Sequence, residues 1–128
     1  MSSISKRPIK NVFDICQAKK MIGKQLIQPC AAIIVNKREI AEESKKMRDT
    51  IISTAKKRSN NSQTITITGF VSNGILYVIN GLDRYFAIAL ITYNEIKSIK
   101  GLEVLDVIVI QYPKLTKIEL AALLQRSS

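Results

Sequence analysis

The chain lacks histidine and tryptophan altogether, and it has two cysteines, three prolines and five glycines in 128 residues. Without histidine there is no imidazole base, no Ser-His-Asp triad and no His-ligated metal site. Cys16 and Cys30 are too few for an all-cysteine zinc site and lack CxxC spacing. They read as buried free thiols. A disulfide stays open for a chain rich in Ile and Lys, a composition compatible with a hyperthermophilic source. No apolar run approaches the roughly 20 residues needed to span a bilayer. The opening MSSISKRPIKNVFD has no signal-peptide apolar core. The expected location is the cytoplasm.

Acidic residues are also scarce. Ten Asp and Glu face twenty Lys and Arg, a formal net charge of +10. Such an excess sets up a positive field that attracts phosphates, favours solubility, and points to a polyanion partner. The length suits one domain, and 46% apolar residues suffice for one packed core.

Residues 1–11 are polar and basic and read as a loose arm, which leaves 12–128 as a single domain. Val12, Ile15, Cys16, Ile22 and Leu26 have approximate helical spacing, ending at Gln28-Pro29. Residues 31–35 are a short apolar, β-branched run, expected as a strand. Over 39–58, Ile40, Ser44, Met47, Ile51 and Ala55 form one helical stripe. Residues 64–68 alternate as T-I-T-I-T, the period of a half-buried strand. Asn73-Gly74 signals a hairpin into a return strand over 75–79. Residues 82–93 then read as a helix, 97–101 as a connector and 102–112 as an apolar strand ended by Pro113. Thr116 and Glu119 form a capping box for a last helix through Gln125. The order predicts a mixed α/β fold, a small mixed sheet packed with helices in two or three layers.

The chemistry concentrates where the return strand runs into a helix, Asn80-Gly81-Leu82-Asp83-Arg84-Tyr85-Phe86-Ala87. Glycine lets the chain turn sharply and an anion approach closely. First-turn amides lack intrahelical partners and sit at the positive end of the helix dipole. Arg84 can add a planar, charge-assisted pair of hydrogen bonds to phosphate. On spacing alone, Gly81 as a plain turn residue and Arg84 as a solvated side chain explain the segment slightly better than a phosphate site does.

This segment resembles the G-E-R-R-(L/Y)-x-A motif of the ParB N-terminal domain, whose fold sulfiredoxin shares. Gly81, Arg84, Tyr85 and Ala87 match it, and Gln63 matches an upstream Q-P element in which Thr64 replaces the proline. Asn36-Lys37-Arg38 loosely echoes an early N-P-x-x-R element, and the likeness runs over residues 31–125. It implies a ParB/sulfiredoxin-like fold and nucleotide or nucleic-acid phosphate held by Gln63, Asn80, Gly81, Asp83, Arg84 and Tyr85. It also implies a setting in plasmid or chromosome partition. Leu82 and Asp83 replace the motif's Glu and first Arg. An Asp there repels a triphosphate unless a cation such as Mg²⁺ bridges them, which disfavours CTP switching. Sulfiredoxin's catalytic Cys and neighbouring His align with Leu82 and Asp83, so that activity is not expected. The helix-turn-helix domain of full-length ParB proteins has no counterpart in these 128 residues.

Lys45, Lys46, Arg48, Lys56, Lys57 and Arg58 lie on one predicted helix and its end. They can contact DNA phosphates with strong salt dependence and little sequence preference, or simply form a solvated face. Asp83 is the candidate metal ligand and catalytic carboxylate of a nuclease or nucleotide-using phosphotransferase of this fold; Asp106 could supply a second carboxylate but reads better as a strand-end or paired surface residue. Tyr77, Tyr85 and Tyr93 can stack a base, but at their spacings they suit the core or its rim better. Three functions follow: a DNA-associated binding module, an enzyme, or a structural protein with a dead site. Expected partners are DNA or a nucleotide and no membrane; a homodimer is left open.

Overall fold

The computed structural model describes residues 7–33, 35–57 and 63–127. The elements run in the order β1 (Ile9–Asp14), α1 (Ile15–Gly23), β2 (Ile27–Pro29), α2 (Lys37–Lys57), β3 (Thr64–Ser72) and β4 (Ile75–Asn80). Then come α3 (Leu82–Leu90), α4 (Tyr93–Ser98), α5 (Lys100–Glu103), β5 (Asp106–Tyr112) and α6 (Lys117–Ser127). The expected α/β class holds: one five-stranded mixed sheet in the order β1-β5-β3-β4-β2.

β3 and β5 run parallel at the centre, with Ile65 opposite Val107 and Ile67 opposite Val109. All four are buried. The period-2 alternation of T-I-T-I-T turns the isoleucines to one face and the threonines to the other. That face meets Ile15 of α1, Ile51 and Ala55 of α2, Ile88 of α3, Ile96 of α4 and Leu102 of α5 in one apolar cluster. Burying a side chain such as Ile67 or Ile88 stabilises by about 1.5–3 kcal/mol, so the α2–α3 layer is fixed firmly on the centre of the sheet. The β3–β4 hairpin turns at Asn73 (φ 55°) and Gly74 (φ 78°), the paired positive-φ residues that an Asn-Gly turn supplies.

Four expectations are corrected. Residues 9–11, read as part of a loose arm, belong to β1 and pair with β5, as does Val12, read as helical. Ile9 and Val12 stay mostly exposed because β1 is an edge strand, which weakens the alternation that marks a strand in sequence. The run at 31–35 is not a strand where described. The strand lies earlier, at Ile27–Pro29, and pairs in parallel with β4 over those three residues, with Cys30 N–H donating to Val78 O at 3.0 Å just beyond. The helix read over 82–93 stops at Leu90, and a separate α4 follows. The apolar run read as a strand from 102 begins as the end of α5, and β5 starts only at Asp106. Cys16 and Cys30 are free thiols, half-buried and buried. Among the described residues no helix is long and apolar enough to cross a membrane.

Candidate phosphate-binding corner

β4 ends at Asn80, and Gly81 carries the chain into α3 with φ 89° and ψ 28°, the left-handed region. An L side chain is strained there, and a Cβ would also meet Thr66 O at 2.9 Å. Glycine is required twice: for the dihedral and for the close pass of α3's start over β3. A left-handed residue followed by a helical one turns successive N–H groups toward a common concavity that suits an anion.

Gly81 supplies no side-chain acceptor to α3. The first backbone bond of the helix runs from Tyr85 N–H to Gly81 O, 2.9 Å. The amides of residues 82–84 precede it, at the positive end of the dipole. Arg84 folds back over this turn, its Cδ 3.8 Å from where a Gly81 Cβ would stand. Its Nη1 donates to Thr66 O at 3.0 Å. One of the guanidinium's five donors is thus spent anchoring it beside the corner. Asp83 is half-buried in the first turn, where a carboxylate also favours the dipole. No group of three or more Cys, Asp or Glu is placed to hold a metal among the described residues. A Mg²⁺ at Asp83 would take its remaining oxygens from phosphate and water.

The other expected site residues divide. Asn80 is exposed at the corner, opposite Thr68 across the β3–β4 ladder. Gln63 lies at the entry to β3, and its Nε2 donates to Ile51 O of α2 at 2.9 Å, so its amide ties sheet to helix. Tyr85 faces the core, 8% exposed, and burial pushes its phenol pKa up. Tyr77 stacks on Phe70 with ring centroids 5.4 Å apart, and Tyr93 lies under Lys19 Nζ at 5.5 Å. Asp106 is the first residue of β5, with Thr64 and Asp14 as strand neighbours.

The basic helix is also sorted by its packing. Arg48 is engaged by Glu95 of α4 and, at 3.0 Å, by Asp49. It ties α2 to α4 and is not a solvated cation. Lys45, Lys46, Lys56 and Lys57 are exposed. Eleven residues are close to three helical turns, so Lys45 and Lys56 share one line along α2 and Lys46 and Lys57 the next. Arg58 lies outside the described residues.

Sequence reasoning missed two capping boxes. Asp14 Oδ1 accepts from Gln17 N–H at 2.7 Å while Gln17 Oε1 accepts from Asp14 N–H. Thr92 and Glu95 do the same for α4. Both follow the spacing that picked out Thr116 and Glu119, so the signal was present. Glu95 has its carboxyl held below the usual range, first by the Thr92 N–H and then by Arg48. Lys19 was also unforeseen: its Nζ donates to Ala89 O at 2.7 Å, closing the C-terminal end of α3, and burial lowers its pKa. Comparison with protein-family models, curated proteins and solved structures finds no match for this chain.

Proposed function

We propose that this chain is a ParB-like, DNA-associated binding domain that takes nucleotide or nucleic-acid phosphate at the β4–α3 corner and holds the DNA backbone along α2. The observation that carries the reading is a pairing at one place: a helix start with no side-chain acceptor, and a guanidinium fastened beside it. Amides and guanidinium together supply directed donors and positive charge, which is what a phosphate needs. The four exposed lysines of α2 add a track for further phosphates, and the net charge of +10 steers a polyanion toward it. This reading places the protein among intracellular DNA, in a partition or maintenance system.

The test is DNA affinity against salt, with a thermal-shift series of nucleotides. Log affinity should fall linearly with log salt, and each α2 lysine removed should lower the slope by about 1. A nucleotide that binds the folded state should raise the melting temperature of the wild type and not of Arg84→Met. A flat salt response with no nucleotide shift would overturn the proposal. Mg²⁺-dependent cleavage abolished by Asp83→Ala would replace it with the enzymatic reading.

A further inference from the structure

A second concavity lies on the other side of α3's first turns. It is a cleft of about 530 Å³ bounded by the segment after β2, the N-terminal half of α2 and the outer side of α3. Ile33, Ile40, Leu82, Phe86 and Leu90 are among the apolar residues that line it. The volume falls within the roughly 300–1,000 Å³ of small-molecule pockets. Its chemistry is one-sided. Ser44 is buried there, but its hydroxyl donates to Ile40 O at 2.6 Å and so is satisfied within α2. A heterocycle placed in the cleft would find side-chain N–H donors only at Lys37 and Lys45, so ring nitrogens and carbonyls lying against the apolar wall would lose their hydrogen bonds to water. An alkyl chain has no such groups.

The cleft's charged residues are both cations, Lys37 and Lys45, about 12 Å apart along α2 by helical rise. Both are exposed, and neither is ion-paired among the described residues. An apolar slot bounded by ammonium groups complements a molecule with an alkyl body and an anionic head.

We infer that this cleft binds a monomeric long-chain carboxylate, its chain against Phe86, Leu82 and Ile40 and its head group at Lys45 or Lys37. The assignment stands apart from the phosphate corner and does not depend on it.

The experiment is calorimetric titration of the full chain with decanoate, dodecanoate and tetradecanoate below their micellar concentrations, with dodecanol as the uncharged control. Affinity should rise about fourfold per added methylene until the slot is full. The alcohol should bind more weakly than dodecanoate, and Lys37→Met with Lys45→Met should remove that difference. Ala89→Trp places an indole at the cleft from an exposed helix position and should abolish binding while the far-UV spectrum and melting temperature hold. Affinity independent of chain length, or binding untouched by Ala89→Trp, would overturn the assignment. Two other results would overturn it as well: association only with anionic vesicles, or a ligand-free dimer that Ala89→Trp dissociates while no carboxylate binds.

Discussion

α4 begins at Thr92 with a reciprocal pair of hydrogen bonds to Glu95, whereas α3 begins at Gly81 with none from a side chain. α1 and α6 start like α4, with Asp14–Gln17 and Thr116–Glu119 boxes. α2 is capped by Asn36 Oδ1, which accepts from the N–H groups of Arg38 and Glu39. The four-residue α5 also starts without a side-chain cap, at Ile99, so the missing cap alone does not set α3 apart. At α3 the chain places a glycine under positive φ, pressed against β3, with Arg84 laid alongside. What distinguishes α3 is the combination of an uncapped start, a left-handed glycine and a guanidinium held beside it, and the proposed phosphate site rests on that combination.

The comparison can be broken most forcefully at its glycine. Gly81→Ala combines a left-handed dihedral with a Cβ 2.9 Å from Thr66 O. It should cost about 2–3 kcal/mol of stability in denaturant unfolding and weaken phosphate binding with it. A neutral result would mean the turn relaxes freely. Thr92→Ala should cost about 1 kcal/mol and leave phosphate binding unchanged, since the proposed site lies at α3 and α4's start is engaged by its own Thr92 and Glu95. Arg84→Met should change stability by less than about 1 kcal/mol yet lower the salt slope of DNA binding by about 1. Equal losses from Thr92→Ala and Arg84→Met in both assays would erase the distinction between the two helix starts.

The smallest expected effect is on acid stability. The folded pKa of Glu95 lies below its ordinary 4.5, so the unfolded chain binds its proton more tightly. The contribution is therefore whole above the unfolded pKa and drains away as pH falls through the lower folded value. Glu95→Gln should flatten that part of the stability–pH curve. An unchanged curve would show that the Arg48 and Thr92 contacts do not persist in solution.

Legibility in the sequence followed the strength of local constraint. T-I-T-I-T, Asn73-Gly74 and Thr116–Glu119 each specify a conformation through neighbouring residues alone, and each is present in the fold. Gly81 was legible for a similar reason, because a strand passing directly into a helix leaves few residue types for the turn. β1 was not legible, since an edge strand with Ile9 and Val12 exposed carries no clean alternation. The shift of the second strand to residues 27–29 rests on pairing with β4, which is tertiary information. The same holds at the site. Gln63, Tyr85 and Arg48 have side-chain types suited to phosphate, a base and DNA, but packing turned each to another partner: Ile51 O, the core and Glu95. The apolar cleft is built by residues scattered from Pro29 to Leu90 and had no local signature.

The most direct test is an amide-resolved NMR titration with pyrophosphate. The account predicts saturable shifts at the backbone N–H groups of Leu82, Asp83 and Arg84, with those of Tyr93, Asn94 and Glu95 unmoved. Shifts spread evenly over both helix starts, or none at residues 82–84, would contradict it.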